Sequence, residues 1–233
     1  YCFCSLTGYT SQWGILTGVR PGKLYSALKR ENGEDFADDY FKNELLVSDK
    51  KIGLCKITSK SERVIVEKST PRSFSLYIAI PFCPTRCTYC SFVSHSVMGA
   101  EKLIPEYLEK LKQELRLTGK ITKGLSLKLE TVYIGGGTPT TLNAQQLKEL
   151  MDCVRDNFDL SGIIEYTVEA GRPDTITEEK LKAILSGGAT RISINPQTMN
   201  DAVLEAVGRR HTAEQTRAAY SLARRVGFNN INM

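Results

Sequence analysis

The run SFSLYIAIPFCPTRCTYCSF, residues 73–92, decides how the fold is interpreted, because it joins a strand-like apolar segment to three closely spaced cysteines. Cys83, Cys87 and Cys90 follow a Cys-x3-Cys-x2-Cys pattern, and Pro84 stiffens the loop that carries them. A loop this tight can direct three sulfurs toward a single bound metal centre. The spacing alone leaves three alternatives open: an iron–sulfur cluster, a zinc site and unliganded core cysteines.

The three alternatives differ in how many ligands they need. A four-iron, four-sulfur cube has four corners, so three thiolates leave one iron free to bind a substrate or cofactor. A structural zinc ion normally takes four protein ligands, and His95 is the nearby candidate for the fourth. A disulfide would leave one of the three thiols over. The other cysteines are expected to be buried small side chains: Cys2, Cys4, Cys55 and Cys153.

Downstream of about residue 74, strand-like runs alternate with amphipathic helical segments. Strands are expected at SFSLYIAI (73–80), LETVYIG (129–135), GIIEYTVEA (162–170) and TRISINPQ (190–197). Helices are expected at residues 104–119, 143–158, 177–188 and 212–228, with Thr177 as an N-cap. This order predicts an α/β fold with a parallel sheet.

Residues 1–73 show a different pattern, and we interpret them as the tail of an upstream domain and a linker, followed by a core over residues 74–233. Within the first part the sequence predicts a turn at Pro21-Gly22, then a helix, then a possible strand near IGLCKITS (52–59). The chain starts with Tyr and stops in a strand-like GFNNINM, so we expect a fragment of a longer protein.

Composition excludes several classes of protein. The formal charge is only +5 over 233 residues and no basic block occurs, so we expect no nucleic-acid partner. The sequence has no run of about 18 apolar residues, so no membrane-spanning helix is expected. Its first residues lack the pattern of a secretory signal peptide. Seven cysteines form an odd set that favours a reducing compartment, which indicates a cytoplasmic protein.

Two strand ends carry unusual residues. Period-2 alternation places Arg191, Ser193, Asn195 and Gln197 on one face of their strand, although a buried parallel strand is usually apolar on both faces. Such a face would line a cavity in a barrel. The run GGGTP (135–139) follows the second strand, and its glycines permit close backbone approach to a ligand. It lacks the Lys-Ser/Thr ending of a Walker loop.

Four motifs in this order resemble the radical S-adenosylmethionine (SAM) enzymes. They are YIAIPFCPTRCTYCSF, VYIGGGTPTTL, EYTVEAGRPDTIT and RISINPQTMNDAVLEAVGRRHT. They look like the oxygen-independent coproporphyrinogen III oxidase branch, in particular its HemZ-type coproporphyrinogen dehydrogenases, over roughly residues 72–233. The upstream WGILTGVRPGKL resembles the HemZ-type linker. The resemblance implies a partial (β/α) barrel of the radical SAM type with parallel strands, truncated after about four βα units.

The resemblance also implies a [4Fe-4S] cluster held by Cys83, Cys87 and Cys90, with SAM bound at the open iron. The positions that match SAM contacts of the family are Tyr77, Tyr89, Gly136, Gly137, Thr138, Glu169, Gln197 and Arg209. No catalytic residue is assigned.

Several of these positions also have a simpler interpretation. Tyr77 could be a core aromatic, Glu169 a solvated carboxylate at a strand end, and Arg209 a helix-end arginine favoured by the helix dipole. The glycine run could be a tight strand–helix turn. Arg210 and His211 are expected at the surface.

The implied activity is the oxygen-independent conversion of coproporphyrinogen III to protoporphyrinogen IX in haem biosynthesis. Reduction of the cluster, by an electron donor such as flavodoxin or ferredoxin, would cleave SAM to methionine and a 5′-deoxyadenosyl radical. That radical removes a hydrogen from a propionate side chain of the tetrapyrrole, which loses carbon dioxide and becomes a vinyl group.

Two other functions remain open. Ser91-Phe92 follow Cys90 where the oxidase branch has a fourth cysteine, and the same pair occurs in the branch's haem-binding chaperones. A haem-binding chaperone on the same scaffold is therefore the alternative. A zinc-stapled structural domain is the third hypothesis, and it requires His95 or a distant ligand.

Overall fold

The computed structural model describes residues 2–18 and 20–233 and divides the chain into two compact units, Tyr1–Thr70 and Pro71–Met233. This division does not test whether the first part is an upstream tail and linker, which stays a prediction. Within the described ranges, no helix has the length and apolar character needed to cross a membrane.

The first unit is helical. Its helices are α1 (Cys2–Thr7), α2 (Pro21–Asn32), α3 (Glu34–Asp39) and α4 (Asp49–Val66), with a π-helical turn at Tyr40–Glu44. Tyr25 and Phe41 are fully buried and pack edge to face, with ring centroids 5.3 Å apart. The Tyr25 hydroxyl donates to Asp38, so this core aromatic also satisfies its polar atom.

Two expectations for this unit are wrong. The segment IGLCKITS (52–59) is not a strand but part of α4, where Ile52 and Cys55 lie one turn apart and both face the core. Pro21 does not make a turn before a helix but is the first residue of α2. Proline is favoured there because its missing N–H is one that a helix start leaves unpaired.

The second unit contains the sheet. Its strands are β1 (Ser73–Ile80), β2 (Phe82–Cys83), β3 (His95–Ser96), β4 (Lys128–Gly136), β5 (Glu165–Glu169), β6 (Arg191–Ser193) and β7 (Ile231–Asn232). Five of them form one sheet in the order β1-β4-β5-β6-β7, and each neighbouring pair is parallel. The short β2 and β3 pair with each other.

Helices connect the strands of this sheet. They are α5 (Val97–Ala100), α6 (Ile104–Gly124), α7 (Ala144–Asn157), α8 (Glu178–Ser186), α9 (Asp201–Ala206) and α10 (Ala213–Val226). Asn143 and Thr212 form capping boxes, and the expected Thr177 cap accepts the Lys180 N–H. The short α9 was not expected from the sequence.

The core of the second unit lies between the sheet and its helices. Strand residues on the helix side are almost completely buried, and they include Ile78, Ile80, Val132, Ile134, Val168 and Ile192. The helices contribute the facing apolar stripe, for example Leu108 and Leu111 of α6 and Leu147 and Leu150 of α7.

The strand order confirms the predicted fold class. Every strand of the large sheet lies beside its successor along the chain, as in a (β/α) barrel, whereas a doubly wound sheet reverses its order at one point. The unit is therefore a partial (β/α) barrel of four βα units and a fifth strand.

The face of the sheet opposite the helices is polar. The cross-strand register places Tyr77, Tyr133, Thr167 and Arg191 in one row, and Glu169, Ser193 and Asn232 in the next row toward the carboxyl ends. Glu165 forms an ion pair with Arg191 at 3.0 Å, so the charges on this face are partly balanced.

The strand β6 is shorter than expected. It ends at Ser193, although the Ile194 N–H still donates to the Asn232 carbonyl at 2.8 Å. Pro196 lacks a backbone N–H, and Gln197 has a positive φ of 61°, which is incompatible with an extended strand.

Candidate cofactor site at the carboxyl ends of the strands

The cysteine loop, residues 83–90, leaves β2 at the carboxyl edge of the sheet. Cys83, Cys87 and Cys90 are all half-buried free thiols, and the N–H of Cys90 donates to the Cys87 carbonyl at 3.1 Å in a tight turn. In the part of the chain that the structure describes, no group of three His, Cys, Asp or Glu side chains is arranged to hold a metal ion. The role of these cysteines as ligands therefore stays a prediction.

The other cysteines are placed more clearly. Cys55 and Cys153 are buried, as expected, whereas Cys4 is exposed, which corrects the expectation that it is buried. The side chain of Cys2 lies outside the described residues. Cys4 lies on the short α1, and its side chain is exposed to solvent.

The glycine turn, residues 135–138, packs directly against the cysteine loop. Gly136 has a φ of +105°, and the N–H groups of Gly137 and Thr138 donate to the carbonyls of Ile80 and Phe82 at 2.9 and 2.8 Å. The buried Thr138 hydroxyl lies 3.5 Å from the Cys83 sulfur. Because these N–H groups already have partners, a ligand at the turn would meet glycine carbonyls and Cα atoms.

Gly137 occupies a position that admits no side chain. A Cβ there would lie 2.7 Å from the Phe82 carbonyl oxygen, 2.9 Å from that of Ile80 and 3.0 Å from the Cys83 sulfur. The glycine therefore permits the close approach of the turn to the first cysteine.

Glu169 is the last residue of β5 and faces the same end of the sheet. Its carboxylate accepts hydrogen bonds from the Tyr133 hydroxyl and from the Gly136 N–H. Burial raises the pKa of the Glu169 carboxyl above its ordinary value, and these two bonds only partly oppose that effect. Glu169 is thus a half-buried carboxylate held by the glycine turn, not a solvated strand end.

Two tyrosines flank this carboxylate. Tyr77 and Tyr133 are stacked with ring centroids 5.7 Å apart and an interplanar angle of 10°. Tyr77 is 59% exposed, so it is not the core aromatic of the simpler interpretation. The stacked pair forms an open aromatic wall on the polar face of the sheet.

A hydrogen bond between Gln197 and Tyr89 links the segment after β6 to the cysteine loop. The Tyr89 hydroxyl donates to the Gln197 side-chain oxygen at 3.0 Å. Gln197 lies four residues beyond the end of β6 and adopts a left-handed φ of 61°. A non-glycine residue in this conformation is uncommon and is often found at a functional site.

Arg209 lies between the ends of β5 and β6. Its guanidinium donates to the carbonyls of Gly171 and Asn195 at 3.1 and 3.3 Å, and its buried Nε has no partner among the described residues. It follows the end of α9 by three residues, and its backbone N–H donates to the Leu204 carbonyl of that helix at 2.9 Å, while its side chain reaches the loops after β5 and β6.

Three residues near this site were not assigned by sequence reasoning. Arg172 and Asp174 form an ion pair in the loop after β5, and His211, expected at the surface, is only 2% exposed and lies 4.0 Å from Asp174. Burial lowers the pKa of His211. Arg210 is exposed as expected. The signal in the sequence was a pair of opposite charges, Arg-Pro-Asp, in a loop that follows a strand end.

The residues at this edge fit an iron–sulfur cluster and SAM. Three soft thiol donors occupy one eight-residue loop, and the cradle at Gly137 is one that a Cβ would fill. Backbone carbonyls and the Glu169 carboxylate are acceptors of the kind that an ammonium group requires, and the Arg209 guanidinium is a donor of the kind that a carboxylate requires.

Comparison with known proteins defines the class. The radical SAM superfamily matches residues 77–233, more than half of the chain, and the chain therefore belongs to this superfamily. The superfamily implies a [4Fe-4S] cluster and SAM as cofactors.

Two similar curated proteins have names that refer to coproporphyrinogen and haem. The chain is 42% identical over 231 residues to the oxygen-independent coproporphyrinogen-III oxidase-like protein HemZ of Bacillus subtilis, covering 97% of this chain and 46% of HemZ. It is 40% identical over 163 residues to the heme chaperone HemW of the same organism, covering 68% of this chain and 41% of HemW.

A solved structure agrees with this assignment. The coproporphyrinogen III oxidase HemN from Escherichia coli, a radical SAM enzyme, superposes with a TM-score of 0.61 and 29% identity, over 74% of this chain and 39% of HemN. The chain thus spans less than half the length of the relatives it matches.

Proposed function

We propose that the full-length protein is a radical SAM oxidoreductase, a coproporphyrinogen dehydrogenase that converts coproporphyrinogen III to protoporphyrinogen IX without oxygen in haem biosynthesis. The proposal rests on one observation above all. The cysteine loop, the glycine turn and Glu169 meet at one edge of the sheet, in a chain 42% identical to a coproporphyrinogen oxidase-like protein.

In this proposal Cys83, Cys87 and Cys90 hold the [4Fe-4S] cluster through their thiolates. When bound, the cluster supplies the electron that cleaves SAM reductively. A flavodoxin or ferredoxin would deliver that electron to the protein.

The chain's other site residues would bind and orient SAM. In the glycine turn of Gly136, Gly137 and Thr138, the glycine carbonyl oxygens would accept hydrogen bonds from an ammonium group, whereas the Thr138 carbonyl already accepts from Thr141. Glu169 accepts hydrogen bonds from the same ligand, and Arg209 and Gln197 donate to it from the next strand ends. A ligand held at three strand ends is fixed in orientation before the reaction.

The aromatic residues would cover the ligand's flat and apolar parts. Tyr89 is 55% exposed beside Cys90 and offers a surface on which an adenine ring can pack. Tyr77, stacked on Tyr133, extends this surface along the polar face of the sheet.

The substrate would be a tetrapyrrole whose propionate groups lose hydrogen and carbon dioxide to become vinyl groups. SAM is the oxidant in this scheme, so molecular oxygen is not required. We place the protein in the cytoplasm, where a reducing environment preserves free thiols such as those of Cys83, Cys87 and Cys90.

A second candidate function is a haem-binding chaperone. Ser91-Phe92 follow Cys90 in place of the additional cysteine of the oxidase branch, and the chain is also 40% identical to a heme chaperone. In that case haem binding, rather than turnover of SAM with a porphyrinogen, would be the main task.

An anaerobic assay of the full-length protein separates the two functions. The protein, with reconstituted iron and sulfide, receives SAM, a reductant and coproporphyrinogen III, and the products are analysed together with haem retention in a parallel sample. We expect decarboxylated product and methionine. Stable haem binding without any decarboxylated product would replace the enzyme with the chaperone.

A further inference from the structure

Arg172 is a buried arginine that neither the cofactor site nor the core explains. It follows β5 by three residues and is only 2% exposed. Its Nε lies 3.2 Å from Asp174 Oδ1, which balances its charge. Burying a guanidinium is costly unless it is paired and hydrogen-bonded, so the remaining donors of Arg172 indicate what the residue is for.

Those donors reach into the cysteine loop. Arg172 Nη1 donates to the backbone carbonyl of Thr85 at 3.3 Å, and Nη2 donates to the Thr85 hydroxyl at 3.0 Å. The Thr85 hydroxyl in turn donates to the carbonyl of Gly208 at 2.9 Å. The residue midway between Cys83 and Cys87 is thus held from two sides.

The segment Val207–Gly208 contacts the same cysteine loop at residues 86–88. The Thr88 N–H donates to the Val207 carbonyl at 3.1 Å. Gly208 has a φ of +78°, and a Cβ there would lie 3.0 Å from the Arg86 carbonyl oxygen. The close approach of this segment to the loop therefore requires glycine.

The geometry requires an arginine rather than any cation. Its planar fork makes two bonds to Thr85 while Nε remains on Asp174, whereas the single ammonium of lysine would have to choose between these partners. The described polar contacts of the Arg172 side chain are with Asp174 and Thr85. The side chain links the loop after β5 to the cysteine loop.

We propose that Arg172 is a positioning residue, which fixes Thr85 and thereby sets the spacing of Cys83 and Cys87 before a cluster is assembled. The proposal rests on the proposed function in so far as the cysteine loop holds the cluster. Arg172 acts through Thr85 and touches neither cluster nor SAM.

Hydrogen exchange of the cluster-free protein tests the positioning role without any cofactor. Arg172→Gln removes the fork, and we expect the amides of residues 85–90, including those of Thr88 and Cys90, to exchange at least about tenfold faster. The matched control is Arg155→Gln on α7, which removes an exposed arginine paired with Asp152 at 2.6 Å and should leave the loop unchanged.

A second pair of variants applies if Arg172→Gln does not fold. Thr85→Val removes only the hydroxyl that joins Arg172 to Gly208 and should also speed exchange of the loop, whereas Thr85→Ser keeps the hydroxyl and should restore protection. The same variants are then reconstituted with iron and sulfide. Arg172→Gln and Thr85→Val should retain less iron per chain and shift the midpoint potential, and Thr85→Ser should behave as the parent.

The outcomes separate the two proposals. Unchanged loop exchange in Arg172→Gln and Thr85→Val, with normal iron uptake by the parent, overturns the positioning role and leaves the proposed function intact. A parent protein that takes up no iron overturns the proposed function and the cluster role of Arg172 together. Faster exchange confined to residues 85–90, with reduced iron, supports the positioning role.

Discussion

At the scale of single residues, the site depends on a glycine that admits no side chain. Gly137 lies against two carbonyls and the Cys83 sulfur, and none of these is the free end of a flexible side chain. We expect Gly137→Ala to displace the turn at a cost of about 1–3 kcal/mol and to reduce both iron retention and SAM affinity. Iron analysis and equilibrium SAM binding after anaerobic reconstitution measure the two effects.

Gly99 provides the matched control. It is an exposed glycine of α5, and a Cβ there meets nothing within 4 Å. Gly99→Ala should bind iron and SAM like the parent. Equal behaviour of the two alanine variants would show that the turn at Gly137 is not part of the cofactor site.

Glu169 gives a pH dependence at the same scale. Because burial raises the pKa of Glu169, the folded protein binds its proton more tightly than the unfolded chain does. The stability that this proton provides is complete below the unfolded value of about 4.3 and is lost as the pH rises through the raised pKa. Glu169→Gln removes this dependence, so its thermal midpoint relative to the parent should be higher at pH 7.5 than at pH 5.

The measurement uses cluster-free protein, since acid would release iron and sulfide. Glu205→Gln on α9 removes an exposed carboxylate and is the control for the loss of one negative charge. A relative midpoint of Glu169→Gln that does not vary with pH would contradict the account of a half-buried carboxylate. Glu169→Gln should also weaken SAM binding, because it removes a charged hydrogen-bond acceptor.

At the scale of elements, a glycine also allows α6 to approach the end of α7 closely. A Cβ at Gly119 of α6 would lie 2.6 Å from the carbonyl oxygen of Asn157, the last residue of α7. We expect Gly119→Ala to lower the free energy of unfolding by about 1–3 kcal/mol, because α6 must move away from α7. Urea unfolding at constant pH measures the change.

Gly124 in the same helix is the control. A Cβ at Gly124 meets nothing within 4 Å, so Gly124→Ala should be neutral or stabilise the protein by up to about 1 kcal/mol through helix propensity. If Gly119→Ala were as stable as Gly124→Ala, the packing of α6 on α7 described above would be wrong.

The sequence predicted those elements whose pattern is strong. The strand at 73–80 has the expected limits, and the helices α6, α7, α8 and α10 lie where their apolar periodicity indicates. The strand predicted at 52–59 was wrong because Ile52 and Ile57 are residues that also suit a strand. The segment is helical because tertiary packing buries Ile52 and Cys55, which are at helical spacing. The predicted end of the fourth expected strand, at Gln197, was wrong. The alternating polar pattern continues to Gln197, but β6 ends at Ser193 and the backbone at Gln197 is not extended.

The candidate site was predicted in part. Spacing identified the cysteine loop, and motif order identified the glycine turn and Glu169, which the fold then brings to one edge of the sheet. The link from Arg172 to Thr85 joins residues 87 positions apart, and no local pattern reports such a contact. The burial of His211 was missed for the same reason, because it depends on neighbours from other loops.

At the scale of the whole molecule, the three cysteines of the cysteine loop differ from the buried cysteines Cys55 and Cys153. We expect Cys83→Ala, Cys87→Ala and Cys90→Ala each to abolish an oxygen-labile cluster, since a cube held by two thiolates is not retained. Cys153→Ala should keep the cluster, because Cys153 is buried in α7 and its thiol contacts the carbonyl of Lys112. Iron and sulfide analysis after anaerobic reconstitution compares the four variants, and loss of iron in Cys153→Ala alone would reverse the assignment.

The central claim is that three thiols at one edge of this sheet hold a cluster with one iron open to SAM. The most direct test is electron paramagnetic resonance of the reconstituted, reduced full-length protein, recorded with and without SAM and with metal analysis of the same sample. The account predicts about four irons per chain and a reduced-cluster signal that changes when SAM is added. One zinc and no iron per chain, or a cluster signal indifferent to SAM, would contradict it.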